Sequence, residues 1–322
     1  MTNQTAAPTD PVHIALCCDE NYAAYATTVM ISALENTQRP ERLNFFLIAN
    51  KIQDKTKLQM KNEISKRGSS LAMLEATDTT FDGLPVHRFG QAVYQRILLG
   101  EYLPKDIKKI IYLDSDLMIR DDICLLWETD LAGLPVAAVE DLSRSASTTI
   151  GVPRQEYFNS GVLVMDLEQW RDKGIHWKVA DFAAENAHSL QYVDQCSLNA
   201  ILHASWKRLH PRWNSQANIY KILRKYTEGS GYSVSELEEA VAWPAIIHYT
   251  GKKKPWLKHC FHPYKAEFLK TLNEISWATQ HPSLKDTQEA VRYYSAIRDH
   301  WKNASRKRQA KNLREKVQKP AS

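Results

Sequence analysis

Asp114 and Asp116 flank Ser115 directly after the apolar run Ile110, Ile111, Tyr112, Leu113. In an extended segment, side chains two residues apart point to the same side, so both carboxylates can approach one divalent cation bridged to a diphosphate. Without such a cation, buried like charges repel and resist ionisation. An Asp-x-Asp at a strand end is also the mark of phosphatases that use the first carboxylate as nucleophile. Those carry Thr or Val four residues later, early in the chain; here Met118 stands there, more than a hundred residues in. Gly229 and Gly231 are followed by Val234 where a dinucleotide-binding turn needs a third glycine, and no Gly-Lys-Ser/Thr phosphate loop occurs.

The elements that must position this pair are legible as an alternation over the first 250 residues. Apolar runs predict strands at 12–18, 43–49, 71–74, 109–113, 135–139, 162–165 and 245–249. Helical spacing predicts helices at 23–36, 55–67, 168–186 and 194–202. Alternation of this kind implies an α/β fold with a mostly parallel sheet covered by helices, whose ligands lie outside the carboxyl ends of the strands. The stretches 77–90 and 143–156 read as loops, the second a candidate lid or binding edge.

With 322 residues, 43% apolar and 25% charged, the chain suits one large α/β domain with an appendage and excludes a disulfide scaffold or wholesale disorder. No apolar run approaches the roughly 18 residues of a bilayer crossing. The start, MTNQTAAPTDP, lacks the basic and apolar regions of a secretion signal, which points to the cytoplasm. Five cysteines without a CxxC pair read as structural thiols in a reducing compartment.

Charge is concentrated at one end. From Arg298 to Ser322 nine basic residues face two acidic ones, a net +7, which leaves residues 1–297 near −2. Val291, Tyr294, Ile297 and Trp301 recur at helical spacing, so a helix would separate an apolar face from a cationic one. That pattern suits an anionic leaflet; a solvated tail is the plainer alternative, and no recognition motif accompanies the charge to suggest nucleic acid. The organisation expected is a flexible 1–11, a catalytic domain at 12–262, and a basic helical extension at 263–322.

Six blocks carry a more specific signal: CCDENYAAYA (17–26), YQRILLGEYLP (94–104), YLDSDLMIRDDICLLW (112–127), YFNSGVLVMDLEQWR (157–171), YVDQCSLNAI (192–201) and IIHYTGKKKPW (246–256). In this order they closely resemble glycosyltransferase family 8, which includes bacterial lipopolysaccharide glucosyl- and galactosyltransferases and, more distantly, glycogenin. The resemblance implies a GT-A nucleotide-diphospho-sugar transferase fold, a UDP-glucose or UDP-galactose donor, Mn2+ with Mg2+ as a substitute, and transfer with retention. It makes Asp114, Asp116 and His248 the metal ligands. It places Gly251 and Lys254 on the diphosphate, Cys17, Asp19 and Asn21 on uridine, with Tyr22 as a stacking surface. Ser115 belongs to the same donor segment. Arg96 corresponds to an arginine on donor sugar or phosphate, and Asp141, Asn159, Asp194 and Gln195 to positions around the hexose.

An amide at Gln195 is a poor nucleophile, so the expectation is front-face transfer through an oxocarbenium-like ion pair. In it the Gln195 and Asn159 carbonyl dipoles face the cation and Asp194 orients the hexose. The expected acceptor is a lipid-linked lipopolysaccharide or lipooligosaccharide core, met by a protein held peripherally on the inner face of the cytoplasmic membrane. Alternatives are a glycogenin-like or protein-directed UDP-hexose transferase, and a non-catalytic sugar-nucleotide-binding protein.

Overall fold

Long apolar segments build the centre of the molecule first. A computed structural model describes residues 10–84, 91–143, 146–224, 230–257, 260–278 and 293–320. Its strands are β1 (Val12–Asp19), β2 (Leu43–Asn50), β3 (Ser70–Glu75), β4 (Lys109–Leu113), β5 (Leu117–Ile119), β6 (Val136–Glu140), β7 (Phe158–Asp166), β8 (Trp206–Arg208), β9 (Ser215–Gln216) and β10 (Ile246–His248). The helices are α1 (Ala23–Glu35), α2 (Asp54–Ser65), α3 (Leu99–Tyr102), α4 (Ile123–Trp127), α5 (Leu167–Asp172), α6 (Ile175–Glu185), α7 (Val193–Leu202), α8 (Ile219–Arg224), α9 (Val234–Ala242), α10 (Lys265–Glu274) and α11 (Tyr293–Lys316).

Seven strands form one sheet in the order β3-β2-β1-β4-β7-β6-β8. Strands β1, β2, β3 and β4 run parallel, whereas β7 is antiparallel to both β4 and β6. The sheet is therefore mixed and mostly parallel, and its central strands read as unbroken apolar runs because helices cover both faces. Helix α1 is buried over nearly its whole length, which explains its many small residues. Its Thr27 and Thr28 hydroxyls donate to the carbonyls of Ala23 and Ala24, so two polar side chains enter the core satisfied.

The continuous helix expected at 168–186 is two, α5 and α6. Gly174 between them adopts φ +57°, a left-handed conformation that ends the first helix. Strand β7 starts earlier than its apolar stretch suggests, because it includes Phe158, Asn159, Ser160 and Gly161. Against β6 the register jumps from Ala138↔Leu163 to Val139↔Asn159, leaving Ser160, Gly161 and Val162 as a bulge. Against β4 the same strand stays paired through Leu113↔Val162. A bulge of this kind re-aims side chains, and here it turns them toward the ends of β1 and β4.

A second sheet, β5-β10-β9, pairs His248 with Leu117 on one side and Gln216 on the other. The C-terminal extension packs onto the body: Phe268, Leu272, Ile275 and Ala310 belong to the same core as β1. Helix α11 forms as expected, while the side chains at Val291, Tyr294, Ile297 and Trp301, which were to make its apolar face, lie outside the described residues, as do residues 1–9 of the expected flexible N-terminus.

Candidate active site

The paired carboxylates sit where β4 ends and the chain turns into β5. Because β10 runs antiparallel to β5 with His248 opposite Leu117, the imidazole arrives beside Asp116, separated from it by more than 130 residues of sequence. The Tyr249 backbone N–H donates to the Asp116 carbonyl (3.0 Å) and locks that register. His248 Nε2 lies 3.2 Å from Asp116 Oδ1 and 3.8 Å from Asp114 Oδ2. One donor atom from each of Asp114, Asp116 and His248 falls within 4.8 Å of the others, the one such cluster among the described residues.

Each carboxylate has a counter-ion. Asp114 accepts from the Tyr112 hydroxyl (2.8 Å) and pairs with Arg96 Nη2 (2.9 Å). Arg96 is buried above the Tyr112 ring and also pairs with Asp194 (3.3 Å). Asp116 pairs with Lys254 Nζ, which also donates to the Tyr249 carbonyl (3.1 Å). Burial alone would raise the Asp116 carboxyl, but Lys254 and then His248 hold it well below the usual carboxylate range. Burial raises the Asp194 carboxyl, with Arg96 opposing.

These groups open onto a cavity of about 560 Å³. Cys17, Asp19, Tyr22, Arg96, Asp114, Ser115, Asp116, Asp141, Asn159, Asp194, Gln195, His248, Gly251 and Lys254 all line it. Asn21 does not; it lines a neighbouring hollow with Asp19, Glu20, Asn50 and Asp78. Burial pushes the Cys17 thiol up, which leaves it inert and suits a backbone contact. Gly251 has φ +86°, so a left-handed turn sets up the segment that carries Lys254. Tyr22 stays 38% exposed, edge-on to Trp256, which stacks on Tyr25 at 3.5 Å. An exposed ring backed by a rigid aromatic pair is a fitting surface for a base.

Asp194 does not cap α7: Tyr192 holds that position, and the carboxylate turns instead to Arg96 and accepts from the Ser160 hydroxyl (3.1 Å). Gln195 Nε2 donates to Asp141 Oδ2 (2.8 Å), while its carbonyl accepts from the Ser160 backbone (3.1 Å) and from Asn159 Nδ2 (3.0 Å). Asn159 Oδ1 likewise accepts from the Gly161 backbone (3.1 Å) and Asn214 Nδ2 (2.8 Å). Both carbonyls, expected to turn their dipoles to the oxocarbenium-like cation, accept hydrogen bonds inside the protein. The donors on this wall are amide and hydroxyl hydrogens, and the acceptors are carboxylates, a mixture suited to sugar hydroxyls.

Pattern reading did not find Gly161, Ser160, Tyr112 or Asn214. Gly161 is decisive: a Cβ there would overlap the His248 ring and fall 2.8 Å from Asp114 Oδ2. It sits in the quoted FNSG block, where a glycine inside a strand signals close approach by another group.

The donor set also tests whether a cation fits. Two carboxylates and an imidazole converge, and the Ser115 hydroxyl, buried at the same place, has no partner among the described residues. A mixed oxygen and nitrogen set of this type matches a divalent cation of borderline hardness.

A mixed, mostly parallel sheet with an acidic cluster beyond the strand ends and a cavity lined by carboxylates and amides defines a GT-A type glycosyltransferase. An active-site mutant of LgtC has this fold, with TM-score 0.75 and 25% identity over 82% of this chain and 96% of that one. The chain belongs to glycosyltransferase family 8, whose model, Glycosyl transferase family 8, matches residues 13–260. It is 32% identical over 278 residues to General stress protein A of Bacillus subtilis (strain 168), covering 83% of this chain and 95% of that one. It is 24% identical over 288 residues to Lipopolysaccharide 1,2-glucosyltransferase of Escherichia coli (strain K12), covering 88% and 83%.

Proposed function

We propose that the chain is a retaining, manganese-dependent hexosyltransferase that moves glucose or galactose from UDP to a lipopolysaccharide or lipooligosaccharide core. The observation that carries this reading is the convergence of Asp114, Asp116 and His248 on the same cavity as Asp141, Asn159, Asp194 and Gln195. A divalent cation held by Asp114, Asp116 and His248 would neutralise charge on the departing diphosphate. Lys254 adds a positive charge at the same end by exchanging Asp116 for a phosphate oxygen, and Arg96 holds Asp114 and Asp194 in place. Tyr22 and Asp19 receive the uridine; Asp141 and Asp194 accept from hexose hydroxyls.

Retention through two displacements needs a carboxylate free to attack the anomeric carbon. Asp194 is tied to Arg96 and Ser160. Asp141 accepts from Gln195, Asn159 (3.2 Å) and the Ser143 backbone (2.6 Å). Carboxylates engaged in this way are not free to reach the anomeric carbon, which supports front-face transfer. The bond from the anomeric carbon to the UDP oxygen breaks, the acceptor oxygen bonds to the same face, and the acceptor's proton passes to the departing phosphate.

The acceptor class rests on the named Escherichia coli relative and on the outer face of α11, where Lys307, Arg308, Lys311 and Lys316 are exposed. Several such cations together attract an anionic leaflet, each contributing on the order of 1 kcal/mol. Among the described residues no helix is long and apolar enough to cross a membrane. The test is a screen of purified protein with manganese against UDP-glucose, UDP-galactose and their N-acetyl forms, reading released UDP and the product anomer. Release from one of the two hexoses with an α-linked product supports the reading; no release from either, or an inverted product, refutes it.

A further inference from the structure

The direction of every amide between the metal ligand and the sugar-binding wall is fixed by two backbone N–H groups. Gly161 N–H donates to Asn159 Oδ1, and Ser160 N–H donates to Gln195 Oε1. A backbone N–H can only donate, so the oxygen end of each amide is assigned by chemistry. Asn159 Oδ1, already an acceptor, requires the Asn214 group facing it at 2.8 Å to be Nδ2. That leaves Asn214 Oδ1 toward His248 Nδ1 at 3.0 Å. An amide oxygen only accepts, so Nδ1 must carry a hydrogen, and Nε2 is the nitrogen that can give up its proton and offer a lone pair to an ion.

The assignment matters because the local field pulls the other way. Nε2 faces two carboxylates, at 3.2 and 3.8 Å, and charge-assisted hydrogen bonds are the stronger kind. An imidazole without Asn214 would place its hydrogen on Nε2, pointing at Asp116, and that hydrogen would block the ion. Asn214 is fully buried at the end of the turn Pro211–Asn214, next to β9, which pairs with β10 and holds it against His248.

We infer that Asn214 is a positioning residue that selects the Nδ1–H form of His248 and couples the cation site to the Asn159 and Gln195 amides of the hexose wall. The inference rests on the reading of Asp114, Asp116 and His248 as cation ligands. Partners of this kind around metal-bound histidines typically change metal affinity by about 10- to 100-fold when removed.

Two variants separate the parts. Asn214→Leu keeps the volume and removes both bonds; Asn214→Asp keeps the acceptor for Nδ1 and loses the donor to Asn159. The readouts are the 15N shift of His248 Nδ1 in the metal-free protein, manganese affinity from the free-ion EPR signal in the presence of UDP, and the donor KM. Asn214→Leu is expected to move the hydrogen off Nδ1 and weaken manganese by about 10-fold or more. Asn214→Asp is expected to keep Nδ1 protonated and restore most of that affinity while the donor KM stays raised. An unchanged Nδ1 shift and unchanged manganese affinity in Asn214→Leu would overturn the inference. Should the unaltered chain bind no manganese at all, the cation-site reading falls instead, and the metal-free 15N shift still decides the role of Asn214.

Discussion

Replacing Gly161 with alanine adds one methyl group and should nearly abolish turnover. The added carbon would overlap His248 Cε1 and lie 2.9 Å from His248 Nδ1 and 2.8 Å from Asp114 Oδ2. Ordinary carbon contacts are about 3.5–4.0 Å, so relief requires the imidazole to retreat by on the order of 1 Å. It has nowhere to go: β10 is paired on both sides, and Asn214 holds Nδ1. Nor can Gly161 yield, since its carbonyl accepts from the Asp114 backbone (2.9 Å) and its N–H donates to Asn159. A misplacement of about 1 Å at reacting groups can cost about 100-fold, or roughly 2.7 kcal/mol. Overpacking should cost about 1–3 kcal/mol in stability.

The control is Gly231→Ala, whose added carbon meets the guanidinium of Arg208, the far end of a flexible chain. UDP release at saturating manganese, together with thermal melting of both variants, distinguishes the two. Gly161→Ala should lose about 100-fold in kcat/KM while remaining folded, and Gly231→Ala should stay within about threefold of the parent. Comparable activity of Gly161→Ala and the parent would refute the steric reasoning.

Arg96→Lys and Arg96→Ala should both lose activity, because one ammonium cannot span Asp114 and Asp194; urea unfolding of the alanine variant should show a loss of about 3–5 kcal/mol from the uncompensated buried carboxylates. Arg314→Ala removes hydrogen bonds to the Ala242 carbonyl (2.7 Å) and the Tyr264 hydroxyl (2.6 Å) and should cost about 1.5–3 kcal/mol by the same measurement, with vesicle binding unchanged. His262 is buried and unprotonated, with its pKa lowered by burial from 6.5 to about 3. The unfolded chain therefore binds a proton first, so this group's contribution is fully present above pH 6.5 and is lost as pH falls toward 3, by about 1.4 kcal/mol per unit. His262→Phe should flatten that part of the stability profile; an unchanged slope would show that the acid loss lies elsewhere.

Strands that are apolar throughout were legible as such, and 109–113 matched to the residue because Asp114 ends the run abruptly. Short strands were not. Trp206–Arg208 and Ser215–Gln216 have no apolar alternation, and they are strands only because β6 and β10 offer free edges beside them. The candidate metal ligands were reached through residue types and family resemblance, since periodicity says nothing of an antiparallel pairing between 117 and 248. Asn214 was invisible for a different reason. Its function depends on which end of its amide faces His248, and that is set by N–H groups at 160 and 161, far away in the chain.

The cationic tail shows how composition can be right while its physical reading divides. Counted together, the nine basic residues look like one arm, yet the helix sorts those whose side chains are described by face. Arg306 lies over the Tyr220 ring and Arg314 binds Ala242 and Tyr264, while the Trp243 indole donates to the Val317 carbonyl (2.9 Å). Tyr264 in turn accepts, through its carbonyl, from the hydroxyl of Tyr249, the residue after His248 (2.8 Å). Deleting the whole tail would remove this support together with the exposed charges and confound membrane attachment with the integrity of the site. Charge reversal at Lys307, Arg308, Lys311 and Lys316 leaves the buried contacts alone. Loss of binding to anionic vesicles with UDP release unchanged would place attachment on the outer face; retained binding would remove the membrane from the function of this helix and leave it a brace for the segment that carries His248.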